Sequence, residues 1–179
     1  MLEVIPLAEP ELILLVDKED NEAGYGEKLQ VHKHGLLHRA FSIFIFNQKG
    51  EMLIQKRYSG KYHSPGLWSN TCCSHQKQGL SLEQVAHGRL KYEMGFDTEI
   101  NEAFSFIYRT EFENGLIENE LDHVFFGSYD GIVSPERTEV EDYRWISIER
   151  LKNEMENAPE SFTYWLRYSI DKIIKHLPL

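Results

Sequence analysis

The sequence predicts an α/β fold of the α+β kind, in which a mixed β-sheet lies between layers of helices. Two observations point to this fold. Runs of β-branched and aromatic residues alternate with turn signals, and one later segment carries helical apolar spacing with caps at both ends. A chain of 179 residues, 41% of them hydrophobic, suits one domain over residues 1–179.

The first third of the chain is predicted to be mainly strands. Residues 12–16 are apolar and predict a strand, whereas residues 17–26 are polar with two glycines and predict a loop. An extended approach then leads to the aromatic and β-branched segment 39–46, which predicts a strand. Its hairpin partner is predicted at 51–57, across a turn at 47–50.

A helix is predicted over residues 82–94, after a loop at 58–70. Ser81 and Gln84 fit a capping box, apolar residues then recur at helical spacing, and Gly95 is suited to end the helix.

The second half of the chain predicts a hairpin followed by three further elements. Residues 98–110 and 116–129 indicate two strands joined by the Asn114-Gly115 turn signal. The later elements are a strand and two helices: the strand 142–146, a helix capped by Ser147 and an aromatic-rich helix opened by Pro159.

Charge and cysteine content narrow the possible functions. A net charge of −10 argues against broad binding of nucleic acids or anionic membranes, so an anionic substrate would need a local basic pocket near Lys56, Arg57 and Lys61. The two cysteines, Cys72 and Cys73, are adjacent, which predicts reduced thiols and a cytoplasmic location. The first twelve residues lack a signal-peptide pattern, and the apolar runs are too short to span a bilayer.

Glu118 and Glu120 form the most informative pair in the sequence. Residues at a spacing of two on a strand point to the same face, so the two carboxylates are expected side by side. Three histidines, His32, His38 and His75, could complete a site for a divalent ion such as zinc or manganese, with an open octahedral position. Singly, the carboxylates could equally form a solvated strand face, and each histidine could be an ordinary surface or core residue.

The other histidines and the two thiols complete this interpretation. If residues 71–74 are extended, Cys73 shares a face with His75 and Cys72 points away into the core. Cys73 is therefore the candidate reactive thiol, with a small buried hydrophobe as the alternative. Four histidines are interpreted as ordinary residues: His34, His63, His87 and His123.

Five segments in order resemble the metal-dependent, non-flavin (type 1) isopentenyl-diphosphate isomerases of the Nudix superfamily. The resemblance covers roughly residues 10–170, and its segments are 32–47, 65–75, 89–96, 108–120 and 161–165. It implies a Nudix-like mixed sheet between helices, with an extra N-terminal strand and C-terminal helices. The hydrolytic box of that superfamily is incomplete here. Only Glu93 and Gly95 remain, and other residues occupy five box positions: Ser74, Leu80, Gly88, Arg89 and Tyr92.

The resemblance implies two metal sites. One would hold Zn²⁺, Mn²⁺ or Mg²⁺ on five ligands: His32, His38, His75, Glu118 and Glu120. The other would hold a Mg²⁺ that meets the substrate diphosphate, bound by Glu93 and the main-chain carbonyl of Cys73.

The resemblance also implies roles in catalysis and substrate binding. Cys73 and Glu120, assisted by Tyr108, correspond to the proton-transfer groups. Substrate contacts are implied for four residues: Lys28, Arg57, Lys61 and Trp165.

The implied reaction interconverts isopentenyl and dimethylallyl diphosphate through a tertiary carbocation. One alternative is a Nudix-type diphosphate hydrolase, which the missing box glutamates disfavour. Another is a non-catalytic metal- or phosphate-binding module, which would need no thiol. The expected partner is a small prenyl diphosphate, with no nucleic acid and no membrane, and both a monomer and a homodimer stay open.

Overall fold

The computed structural model describes residues 11–61 and 63–177. Within these ranges, nine strands join in one mixed sheet that has helices on both faces, which confirms the predicted fold class. The strands are β1 (Leu12–Val16), β2 (Glu22–Glu27), β3 (His38–Phe46), β4 (Met52–Arg57), β5 (Trp68–Ser69), β6 (Cys72–His75), β7 (Ile100–Glu111), β8 (Ile117–Ser128) and β9 (Val140–Ile146). The helices are α1 (Lys28–His34), α2 (Leu82–Met94), α3 (Ile148–Asn157) and α4 (Tyr164–His176), with a 3₁₀ turn at Pro159–Ser161.

Strand β3 organises the sheet. It runs parallel to β8, with His38 opposite Glu120, and antiparallel to β6, with Ala40 opposite His75. Strand β7 pairs with the other edge of β8, with Tyr108 opposite Glu120. This register brings polar residues from four strands to one end of β3.

The two faces of the sheet bury separate apolar clusters. Because side chains alternate along a strand, β3 sends Phe41 and Ile43 toward α2 and Phe44 toward α3 and α4. Cys72 lies in the α2 cluster, and Leu166 of α4 lies in the other. The sheet is therefore a middle layer, fixed by burial on both sides.

Several elements confirm the sequence predictions. Helix α2 has the predicted bounds, its capping box forms between Ser81 and Gln84, and Gly95 ends it at φ 77°. The hairpin of β7 and β8 turns through Gly115, also at φ 77°. A positive φ strains any residue with a Cβ atom, so glycine suits both positions.

Two predictions for the N-terminal part were wrong. The predicted loop at residues 17–26 contains most of β2, which pairs antiparallel with β1. The predicted extended approach around His32 is instead α1, in which the Glu27 side chain accepts from two backbone N–H groups and Gly35 ends the helix at φ 62°. Helix α1 has only seven residues, too few to show a periodic apolar pattern.

One strand pairing and two element assignments also differ from the predictions. Strand β4 meets β3 only at Met52 opposite Phe46, and its long partner is β9. The cause is that β6 and β8 already occupy the two sides of β3. Strand β5 lies in the predicted loop at 58–70, and Pro159 opens a 3₁₀ turn while α4 begins at Tyr164.

The signal-peptide prediction rests largely on residues 1–10, which lie outside the described ranges. Among the described helices, none has both the length and the apolar character needed to cross a bilayer.

Candidate active site

A cavity of about 80 Å³ lies among β3, β6, β7, β8 and α4. Ten of the twelve predicted site residues line it: Lys28, Arg57, Lys61, Cys73, His75, Glu93, Tyr108, Glu118, Glu120 and Trp165. The remaining two, His32 and His38, are buried beside Glu118. The fold therefore gathers residues that are up to 137 positions apart in the sequence, from Lys28 to Trp165, around one cavity.

Five of these side chains form a compact ligand cluster. One donor atom from each lies within 4.8 Å of the others, and all five residues are buried: His32, His38, His75, Glu118 and Glu120. They come from α1, β3, β6 and β8, so the cluster depends on the pairing of three strands and on the position of one short helix.

Backbone hydrogen bonds orient two of the imidazoles. Nδ1 of His32 lies 2.6 Å from the Lys28 carbonyl oxygen, and Nδ1 of His38 lies 2.8 Å from that of Leu36. A carbonyl only accepts, so each Nδ1 carries a proton, and in the neutral form of each ring Nε2 then turns a lone pair inward. Nε2 of His38 is buried without a hydrogen-bond partner, 3.6 Å from Glu120 and 3.9 Å from Glu118. Lone pairs that face carboxylate oxygens in this way fit a bound cation.

The two carboxylates have opposite electrostatic environments. Burial and the charge of Glu120 raise the pKa of Glu118. Burial also acts to raise the pKa of Glu120, but the adjacent imidazoles of His38 and His75 hold that pKa well below its usual range. Burial lowers the pKa of His75 to about 3, so its imidazole is neutral and available as a ligand. A divalent ion is a suitable partner for this charge distribution.

The adjacent cysteines point to opposite faces of β6, which confirms the predicted parity. Cys72 lies opposite Ile43 of β3 and belongs to the α2 core, while Cys73 lies opposite Ser42 and lines the cavity. Burial raises the pKa of the Cys73 thiol to about 12, although the positive charge of Arg57 acts in the other direction. The Cys73 thiol is therefore protonated at neutral pH.

Tyr108 and Glu120 form a directly bonded pair. They are opposite each other on β7 and β8, and the Tyr108 hydroxyl donates to Glu120 Oε2 at 2.5 Å. Burial and the nearby charge of Glu120 raise the pKa of the phenol well above its usual value. The phenol therefore keeps its proton and presents it to an ionised carboxylate.

Four side chains in the cavity lining carry positive charge. The cationic lining residues are Lys28, Arg57, Lys61 and Arg89. Lys56, also named as a basic candidate, instead pairs with Glu141 at 2.8 Å and is absent from the lining. Glu93 lies among these cations and accepts from Arg89 Nε at 3.1 Å and Gln55 Nε2 at 2.9 Å. A local basic pocket is thus built into an acidic chain.

Trp165 forms part of the cavity wall. It is 4% exposed, and its indole N–H donates to Ser69 Oγ at 2.9 Å and Asn70 Oδ1 at 3.2 Å. The Arg57 guanidinium lies 5.2 Å from the indole ring centroid. Phe162, by contrast, belongs to the apolar core beneath α4.

The structure adds two residues that sequence reasoning missed. Arg89 lies one helical turn before Glu93 on α2, and this i, i+4 spacing was the available signal.

His63, interpreted as an ordinary residue, lines the cavity with its Nε2 3.3 Å from Glu118 Oε1. Burial, with the charge of Arg57, lowers the pKa of His63 to about 2, so the ring is neutral. No local pattern marks His63, because a long-range contact places it there.

Known proteins resemble this chain in both sequence and fold. The NUDIX domain family matches residues 36–166. "Isopentenyl-diphosphate Delta-isomerase 2" of Aromatoleum aromaticum is 45% identical, over 90% of this chain and 86% of the relative. The protein of the same name from Photorhabdus laumondii is 47% identical, over 90% of this chain and 91% of the relative.

The fold is also found in solved structures. A Deinococcus radiodurans crystal structure has a TM-score of 0.75 at 15% identity and covers 90% of this chain and 98% of its own. A MutT protein from Methanosarcina mazei has a TM-score of 0.65 at 18% identity, over 78% of this chain and 94% of its own. At these identities the likeness is one of fold. Together with the sequence identities, it places this chain in the NUDIX family and, within that family, among the isopentenyl-diphosphate Delta-isomerases.

Proposed function

We propose that this isomerase interconverts isopentenyl and dimethylallyl diphosphate by adding a proton to the alkene and removing another from the allylic carbon. The observation that carries the proposal is a thiol and a hydrogen-bonded phenol–carboxylate pair in one cavity, and these are the two groups that we assign to proton transfer. Cys73 approaches from β6 and the Tyr108–Glu120 pair from β7 and β8, with β3 lying between β6 and β8. A five-carbon chain held between these groups could exchange protons with both.

The protonation states support a reversible reaction. The reaction needs one transferable proton in total, on the Glu120 side to protonate isopentenyl diphosphate and on Cys73 to protonate dimethylallyl diphosphate. The raised pKa of Cys73, about 12, favours that proton on the sulfur, and the lowered pKa of Glu120 favours an ionised carboxylate beside the Tyr108 hydroxyl. The two directions of the reaction therefore differ in which group carries the transferable proton when the substrate binds.

The proposal includes two divalent ions. His32, His38, His75, Glu118 and Glu120 would hold one, as Zn²⁺, Mn²⁺ or Mg²⁺, and Glu93 with the Cys73 carbonyl would hold a Mg²⁺. When bound, these ions would supply positive charge that activates the Glu120 carboxyl and neutralises the diphosphate. Lys28, Arg57, Lys61 and Arg89 would bind the remaining phosphate oxygens.

Trp165 would stabilise the carbocation in this scheme. An indole face attracts a cation by about 2 kcal/mol when water is excluded. The buried position of Trp165 supports this role, since water in the cavity would trap the carbocation.

A hydrolase is less well supported. Among the described cavity-lining residues, Glu93 is the carboxylate that α2 supplies, and the box positions Leu80 and Tyr92 are exposed. The magnesium-binding carboxylates that a Nudix hydrolase needs on this helix are therefore missing.

Incubation with isopentenyl diphosphate in deuterated water tests the proposal. We expect dimethylallyl diphosphate as product, deuterium in the recovered isopentenyl diphosphate, and no release of phosphate. Release of phosphate or diphosphate without isomerisation would contradict the proposal and favour hydrolysis.

The proposal extends to the domain organisation and cellular setting of the enzyme. We infer that residues 1–179 act as one domain in a reducing, cytoplasmic environment, because both cysteines are free and the described chain contributes to one cavity. The substrate is a small prenyl diphosphate in this proposal, and either a monomer or a homodimer could carry out the reaction.

A further inference from the structure

His63 lies in the loop between β4 and β5, outside the five-residue ligand cluster, yet it reaches that cluster. Its side chain is 9% exposed, and Nε2 lies 3.3 Å from Glu118 Oε1. The other oxygen of the same carboxylate, Oε2, lies 3.2 Å from His32 Nε2 and 3.9 Å from His38 Nε2. Glu118 is thus held between the ligand histidines on one side and His63 on the other.

The two sides of Glu118 differ chemically. In their neutral form, His32 and His38 turn unprotonated Nε2 atoms inward because their Nδ1 atoms bond to backbone carbonyls. His63 instead faces Oε1 with Nε2 at 3.3 Å, and since a carboxylate oxygen only accepts, a proton on this Nε2 would make His63 a donor to Oε1. A donor on Oε1 leaves Oε2 directed at the cluster, which is how outer hydrogen bonds orient metal ligands.

The surroundings of His63 hold its ring in place. The imidazole stacks on Phe112, with ring centroids 5.3 Å apart and planes at 11°, and its edge meets Trp165 at 5.7 Å. The Arg57 guanidinium donates to the carbonyl oxygens of His63 and Ser64, each at 3.2 Å. Ser64 has φ 47°, a conformation that a residue with a Cβ adopts only when its surroundings impose it.

We propose that His63 is a positioning residue that donates a hydrogen bond from Nε2 to Glu118 Oε1, and thereby fixes Glu118 Oε2 as a metal ligand. This inference rests on the proposed metal site and deepens it. It assigns His63 a role in metal affinity and none in the proton transfer itself. Loss of an outer hydrogen bond of this kind typically weakens metal binding by about 10–100-fold.

The test is a Mn²⁺ titration of metal-free full-length protein, read by the electron paramagnetic resonance signal of free Mn²⁺. His63→Phe keeps a ring for stacking on Phe112 and removes the donor, so we expect Mn²⁺ affinity to fall by about 10–100-fold. His63→Gln keeps a donor at a similar reach and should stay within about threefold of the parent. His87→Phe is the matched control, since His87 is on the surface and pairs with Asp97, and it should bind Mn²⁺ as the parent does.

The outcomes separate this inference from the proposed function. Equal Mn²⁺ affinity in the parent and His63→Phe, or equal losses in His63→Phe and His63→Gln, would overturn the role of His63 while leaving the metal site intact. Absence of Mn²⁺ binding by the parent would overturn the metal site and this inference with it. Thermal unfolding of each metal-free variant checks folding, and His63→Leu replaces the Phe variant if that one does not fold.

Discussion

At the scale of single residues, two neighbouring thiols show how side-chain orientation decides whether a residue lines the cavity or packs in the core. Cys72 and Cys73 have the same side chain and adjacent positions, but strand alternation sends one into the α2 core and the other into the cavity. The same alternation turns Glu118 and Glu120 into the cavity together. The residues that line the cavity are therefore selected by the face of the strand on which they lie.

Cys73→Ala is expected to lower turnover by about 10²–10⁴-fold, the usual loss when a proton-transfer group is removed. Cys72→Ala should keep most of the turnover, with a stability cost of about 1 kcal/mol for the small cavity it leaves in the core. Steady-state kinetics on both variants, with urea unfolding for stability, makes the comparison. Equal activity in the two variants would contradict the assignment of Cys73.

Tyr108→Phe tests the acid side of the cavity. The variant removes the hydroxyl that donates to Glu120 Oε2 at 2.5 Å and leaves the five-residue cluster unchanged. We expect turnover to fall by about 10²-fold, while Mn²⁺ affinity stays within a few-fold of the parent. Loss of Mn²⁺ with an unchanged rate per bound ion would show that Tyr108 supports the metal and has no part in proton transfer.

At the scale of elements, the C-terminal end of α2 fixes Glu93. The Ser134 N–H bonds to the Met94 carbonyl at 3.1 Å, and the Glu136 N–H bonds to the Glu93 carbonyl at 3.0 Å. Gly95 lets the chain turn at φ 77° beneath this segment, where an added Cβ would lie 2.1 Å from the Ser134 carbonyl oxygen. The position of Glu93 beside Arg89 therefore depends on a glycine outside the cavity.

Gly95→Ala is expected to destabilise the protein more than Gly79→Ala. Both glycines have nearly the same φ, 77° and 79°, so both variants incur backbone strain of about 1–2 kcal/mol. Only Gly95→Ala adds a steric clash, since nothing lies within 4 Å of a Cβ at Gly79. The extra loss should be about 1–3 kcal/mol, measured as the free energy of unfolding in urea. Equal losses would mean that the Ser134 segment moves aside freely.

At the scale of the whole molecule, the ligand cluster connects parts of the chain that are distant in sequence. Its residues come from α1, β3, β6 and β8, and unfolding would separate all of them. Binding of an ion to this cluster would therefore stabilise the fold as a whole, as any ligand that prefers the native state does.

Mn²⁺ added at 100 times its dissociation constant should stabilise the metal-free protein by about 2.7 kcal/mol. For a chain of this size that free energy raises the unfolding midpoint by roughly 5–10 °C. Scanning calorimetry with and without Mn²⁺ measures the shift, and His75→Ala, which lacks one ligand, should show little of it. A shift of the same size in His75→Ala would place the stabilising ion at another site.

The sequence by itself determined the elements with strong local signals. Strand β1, the capped helix α2 and the Asn114-Gly115 hairpin follow from apolar periodicity, a capping box and a turn signal, each contained within a few residues. The parity of Cys73 with His75 and of Glu118 with Glu120 also follows from the two-residue repeat of a strand, once those segments are taken as extended. The twelve predicted site residues came from these patterns together with the family resemblance.

Only the tertiary structure decided which distant segments meet. The short helix α1, the pairing of β4 with β9 and the contact of His63 with Glu118 leave no local pattern, because long-range packing stabilises each of them. Likewise, Arg89 enters the site because α2 docks with Glu93 toward the cavity. Local signals report the conformation that a segment prefers, whereas these contacts depend on burial that exists only after the sheet and its helices have assembled.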